Sequence, residues 1–158
     1  MRYINKRIVT LFCTLIVLIS LTVVNCANEE EVACGNSSLS ESEPNETFSN
    51  ADSIGDLNAT CTSKVTGYIG ILAVDIFSFN TGDASTITFT VTWSSGDDAL
   101  DLVVQDSTGT AYDFGLSAAS NSETLTWTVD SKNVTRYIVV TSEIAWGDTN
   151  YTMNIEAK

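Results

Sequence analysis

Histidine is missing from the 158 residues, and positive charge is scarce: 7 Lys and Arg stand against 20 Asp and Glu, a net charge of −13. Without histidine there is no Ser-His-Asp or Cys-His catalytic arrangement, and nearly every usual zinc site is excluded. With a pI near 4.1, the chain cannot assemble the basic face that phosphate backbones require, so there is no nucleic-acid partner. No glycine pattern resembles a phosphate loop, and no long amphipathic helix is legible. What remains is an apolar fraction of 44%, which is ordinary for a chain that buries a core. The length suits one domain.

The first segment reads as an address. Arg2, Lys6 and Arg7 precede a mostly apolar run from Ile8 to Val24 without a charge in it, the basic and apolar regions of an export signal. The run ends at Val23-Val24-Asn25-Cys26, with Glu29-Glu30-Glu31 just beyond. This junction resembles the lipobox of bacterial lipoproteins, with Asn25 in place of the usual small residue. The resemblance implies cleavage after residue 25 and lipid attachment at Cys26, hence a membrane partner through the N-terminal lipid. An ordinary signal peptide and a retained helix are the alternatives. Two or more acyl chains anchor a protein stably where one does so only reversibly. Residues 1–25 carry three of the seven bases and none of the acids, so the mature chain would have a net charge of −16. Such a charge repels anionic headgroups and keeps a tethered domain in solution. The expected location is a bacterial cell envelope, lipid-anchored at the outer membrane or cell surface, and otherwise secreted.

With Cys13 in the leader and Cys26 assigned to lipid, Cys34 and Cys61 remain. Outside the reducing cytosol the simplest expectation is a disulfide between them, the alternative being two free thiols. Residues 26–40 are acidic, serine-rich and poor in large apolar side chains, the composition of a flexible linker. Phe48, Ala51 and Ile54 then recur every third residue, compatible with one short helical turn.

Beyond Cys61 the period becomes two. Ile87, Phe89, Val91 and Trp93 alternate with Thr86, Thr88, Thr90 and Thr92, and Leu125, Trp127 and Val129 alternate with threonines likewise. This is the pattern of half-buried strands with a β-branched solvent face. Further strands are expected at 65–69, 74–79, 100–104, 136–141 and 151–155, with a short one at 110–114. Between them Asn80–Asp83, Asp106–Gly109 and Asp130–Asn133 carry turn residues. Short strands at this spacing predict an all-β antiparallel sandwich, jelly-roll-like, over residues 41–158.

Read in order, the mature chain resembles the bacterial pre-peptidase C-terminal domain. The resemblance rests on Glu41-Ser42-Glu43-Pro44-Asn45-Glu46-Thr47-Phe48, Val65–Ile69, Val74-Asp75-Ile76-Phe77, Leu100–Asp106 with Gly109, Arg136–Val140 and Tyr151–Ile155. It implies a β-sandwich module. Through the related collagen-binding modules of collagenases it also implies calcium, held by Glu41, Glu43, Asn45, Glu46 and Asp75. Calcium takes six to eight hard oxygens, which closely spaced carboxylates and an amide can supply. The acidic ligand expected just before Asp75 is replaced by Ile71, Leu72 and Ala73. Taken by themselves, the same residues also suit a Pro44-Asn45 turn with solvated acids.

Trp93 and Trp127 fall on apolar strand faces and are expected in the core. Trp146, on a loop between strands, is the candidate ligand-contact residue, with plugging the end of the core as the alternative. Tyr112 and Phe114 form a second candidate near an edge. Asp97, Asp98 and Asp101 are the densest carboxylates in the body, and a glycosidase would need such a pair at a defined separation. Three functions follow: a non-catalytic envelope module binding an extracellular protein or polysaccharide or acting as a structural accessory; a calcium-dependent stabilising module; and a carboxylate hydrolase.

Overall fold

The computed structural model describes residues 32–94, 99–116, 121–142 and 149–158. The described residues form strands β1 (Val32–Ala33), β2 (Leu39–Ser40), β3 (Asp52–Asp56), β4 (Cys61–Ile69), β5 (Val74–Asn80), β6 (Thr86–Trp93), β7 (Leu100–Gln105), β8 (Ala111–Gly115), β9 (Ser122–Thr128), β10 (Thr135–Ser142) and β11 (Thr149–Ala157). Two sheets pack face to face. The six-stranded sheet has the order β1-β4-β11-β6-β9, with β2 also on β4, and the five-stranded sheet has the order β3-β5-β10-β7-β8.

The period-two stripes explain the packing. Ile87, Phe89, Val91, Met153 and Val65 from one sheet and Phe77, Leu100, Leu102, Val104, Ile138 and Val140 from the other have no solvent exposure. Each buried side chain of this size contributes about 1.5–3 kcal/mol. Phe79 joins the layers, its ring centroid 5.5 Å from Phe89 and 6.3 Å from Trp127. Trp93 and Trp127 are in the core as expected.

Three differences from the sequence reading bear on the site. The body is antiparallel, but one edge of each sheet is not: β1 and β2 pair with β4 in parallel, as β3 does with β5. No helix occurs among the described residues; the expected helical turn is a single turn closed by Asn50 N–H to the Thr47 carbonyl at 3.0 Å, and Ile54 lies in β3. Its three-residue apolar recurrence arises because Phe48 covers Tyr137, centroids 4.8 Å apart, while Ile54 enters the core. Finally, part of the stretch read as linker is laid along β4. Cys34 N–H donates to the Thr62 carbonyl at 3.1 Å, Leu39 pairs with Val65, and Cys34 is bonded to Cys61 with Cα atoms 5.0 Å apart.

Candidate functional site

β5 and β11 face each other across the mouth of the sandwich. Alternation along β5 turns Asp75 inward with Phe77 and Phe79, while β11 turns Tyr151 inward with Met153 and Ile155. The Tyr151 hydroxyl lies 2.7 Å from Asp75 Oδ2 and 3.0 Å from Glu41 Oε2. Glu41 is held there because its own N–H donates to the Thr66 carbonyl at 3.0 Å and its Oε1 accepts the Tyr68 N–H. Gly67 makes this convergence possible. It pairs with Tyr151 across the two strands, and a Cβ there would collide with the Tyr151 ring and the Glu41 carboxylate.

Glu43 completes the group: carboxylate oxygens of Glu41, Glu43 and Asp75 lie within 4.8 Å of one another. The Glu43–Pro44 peptide is cis, and Glu43 Oε2 accepts the Asn45 N–H at 3.2 Å. The Asn45 carbonyl in turn accepts the Ile76 N–H at 3.2 Å, which fixes this segment beside β5. The Asn45 side chain is fully buried, yet neither its carboxamide oxygen nor its nitrogen has a partner. A buried amide without hydrogen bonds is costly. Glu46 is exposed and outside the carboxylate group.

The electrostatics match the geometry. Burial pushes the Asp75 carboxyl up to about 8; the Tyr151 hydroxyl opposes this, and the Glu41 and Glu43 carboxylates add to it. The Tyr151 hydroxyl is also pushed up, by burial and then by the charges of Asp75 and Glu41. Burial raises Glu43, partly offset by the Asn45 N–H. The ion pairs Arg136–Asp130 and Lys158–Glu156 lie elsewhere. Ionising all three carboxyls together is therefore costly, with no Lys or Arg paired to them among the described residues, and an added positive charge would relieve that cost. Three carboxylates and a buried amide oxygen are hard donors of the kind calcium takes. The donor set fits.

Of the residues selected from the sequence, the structure brings together Glu41, Glu43 and Asp75, with Asn45 beside them, and leaves Glu46 apart. Cys26, Trp146, Asp97 and Asp98 lie outside the described residues; Asp101 is buried. Tyr151 and Gly67 were missed as site residues. Tyr151 reads as one more inward residue of its strand, and only the β4–β11 register shows why position 67 is glycine. Asp52 was missed too: its Oδ2 accepts the Ser42 N–H at 2.7 Å and braces the segment between the two glutamates.

Tyr112 and Phe114 lie on the edge strand β8, 41% and 62% exposed, with the Arg136 guanidinium 4.5 Å over the Tyr112 ring. Two open depressions mark the outer face of the six-stranded sheet, about 360 and 320 Å³ in volume. Glu156 is the one carboxylate in their linings, so the acid pair that a glycosidase needs is not found in them.

The sandwich has the fold of the pre-peptidase C-terminal domain of a collagenase from Bacillus anthracis. That structure is 21% identical, with 73% of this chain and 100% of that one covered and a TM-score of 0.50. The fold expected from the order of the motifs is thus the fold observed. PliG from Aeromonas hydrophila, a periplasmic inhibitor of g-type lysozyme, is 10% identical over 68% of this chain and 97% of that one, with a TM-score of 0.46. No protein-family model matches the sequence, and no curated protein does.

Proposed function

We propose that this chain is a non-catalytic module of the bacterial envelope, moored by lipid at Cys26, whose β-sandwich binds an extracellular protein or polysaccharide. In this reading the mouth of the sandwich is a calcium site formed by Glu41, Glu43 and Asp75 with the Asn45 carboxamide oxygen. The observation that carries it is the convergence of three carboxylates beside a buried, unpartnered amide, with no Lys or Arg paired to them among the described residues. Bound calcium supplies the positive charge that this arrangement lacks. The protein's own part is to hold the donors: β2 and the Tyr68 N–H position Glu41, β5 presents Asp75, and the Ile76–Asn45 hydrogen bond fixes the chain between them. Because three donors come from the segment preceding β3 and one from β5, the cation would tie that segment to the sandwich. The site is a clamp rather than a catalytic centre.

The test is a melting curve at pH 7.5 in calcium against a chelator. A ligand that binds only the folded form at a hundred times its Kd stabilises by about 2.7 kcal/mol, read as a rise of several degrees. The rise should vanish in Glu43→Gln and shrink in Asn45→Ala. Equal melting temperatures with and without calcium would remove the clamp. Membrane association is tested separately, by loss of the membrane-bound fraction in Cys26→Ala.

A further inference from the structure

The outer face of the six-stranded sheet differs in chemistry from the rest of the chain. Every outward position of β6 is threonine, as is every one of β9 after Ser122. β11 presents Asn150, Thr152, Asn154 and Glu156, and β4 presents Thr62, Lys64, Thr66 and Tyr68. The registers align these across four strands: Thr124, Thr90, Asn154 and Lys64 form one row, and Ser122, Thr92, Thr152 and Thr66 form the next. The rows are ordered by their own contacts, Thr88 with Thr126 at 3.2 Å and Thr124 with Thr90 at 3.3 Å. Each hydroxyl has one donor and two acceptor sites, so these contacts fix orientation and leave capacity facing outward.

In a chain with 20 acids, the described residues of this face include one, Glu156, and that one is paired with Lys158 at 2.9 Å. Among the described residues its cations are Lys64 and that same Lys158. The face is therefore close to neutral and dense in hydroxyl and amide groups. The two depressions lie on it. One lies between Lys64, Thr88, Thr90, Asn154 and Glu156, and the other between Thr92, Ser94, Asn150 and Thr152. Tyr68, 45% exposed, stands in the same row as Asn150.

We infer that this face binds a neutral polysaccharide laid across the strands, with the Tyr68 ring against a sugar face and Asn150, Asn154 and the threonine rows bonding to its hydroxyls. An aromatic body offers apolar contact to the C–H face of a sugar, while fixed polar groups give direction. Strands about 4.8 Å apart repeat the hydroxyls at an interval close to the advance per residue of an extended β-linked glycan. An anionic polymer would meet the field of the acidic chain, and a basic peptide would find one paired carboxylate. This inference rests on the binding-module reading above and names the face and the ligand class.

The experiment is affinity electrophoresis and calorimetry of the purified chain with laminarin, soluble xylan and hydroxyethylcellulose, with polygalacturonate and gelatin as charged and protein comparators. Each is run in calcium and in chelator. Retardation by at least one neutral polysaccharide is expected. Tyr68→Ala and Asn154→Ala should each weaken it about tenfold, and Phe114→Ala, on the other sheet, should leave it unchanged. Melting curves of all variants establish that they fold. Absence of binding to the three neutral polymers overturns the inference, as does retention of gelatin or polygalacturonate alone, or unchanged affinity in both face variants. The calcium-dependent melting shift is read on the same samples. Its loss with glycan binding intact removes the clamp alone, and the reverse removes this inference alone.

Discussion

Asp75 and Asp106 are the same side chain in opposite settings. Asp106 opens the turn between β7 and β8, where its Oδ1 accepts the Thr108 hydroxyl at 2.6 Å, the Thr108 N–H at 2.8 Å and the Thr110 N–H at 3.1 Å. Those donors, the Thr108 hydroxyl first, hold its carboxyl down at about 2. Asp75 sits between two sheets with one hydroxyl and two glutamates, and burial pushes it up to about 8. The turn meets a negative charge with fixed donors, whereas the mouth of the sandwich gathers carboxyl groups with few donors, and Asp75 keeps its proton to higher pH. A carboxylate that serves structure brings its partners within a few residues. On the proposed calcium reading, Asp75 takes its partner from outside the chain.

The largest disruption of this contrast removes what holds the glutamates against the sheets. Replacing Cys34 and Cys61 with serine opens a 27-residue separation and is expected to cost about 3–4 kcal/mol in the chain-entropy account. Denaturant melts of the double variant measure it. Next is Gly67→Ala, whose methyl group displaces Tyr151 and Glu41. A cost of about 1–3 kcal/mol follows from overpacking, together with loss of any calcium-dependent rise in melting temperature.

The third prediction concerns acidity in chelator. Because the folded pKa of Asp75 lies above its ordinary value, folding takes up its proton. This stabilisation is complete below about pH 4 and is lost as pH rises to about 8. Asp75→Asn should flatten the melting profile over that window. Asp106 acts in the opposite sense: its contribution is present above about pH 4 and is lost as pH falls toward 2. The turn is exposed, so Asp106→Asn should give the smallest change, confined to the acid limb.

The sandwich was legible in the sequence because alternation reports one buried face directly. Ile87, Phe89, Leu125 and Trp127 are buried as their period requires. The parallel edges were not legible, since Val32–Ala33 and Leu39–Ser40 are too short to carry a period, and their pairing depends on β4 being available. The site was legible in part. The spacing of Glu41, Glu43 and Asn45 and the position of Asp75 were visible through family resemblance. The reach of the Tyr151 hydroxyl and the space left by Gly67 depend on register between strands far apart in the chain, which no local pattern encodes. The threonine rows were visible strand by strand as ordinary solvent faces, and only the pairing of β6, β9 and β11 makes them one surface.

The Cys34–Cys61 bond sets a path for mechanical force. A pull on the amino end reaches Cys34 and crosses covalently to Cys61 at the head of β4, bypassing everything in between. The bypassed stretch contains Glu41, Glu43, Asn45 and β3, so these remain slack under tension while β4, flanked by β11, takes the strain. On the proposal that the chain is moored at that end, tension would load β4 before it loaded the chain that carries Glu43 and Asn45.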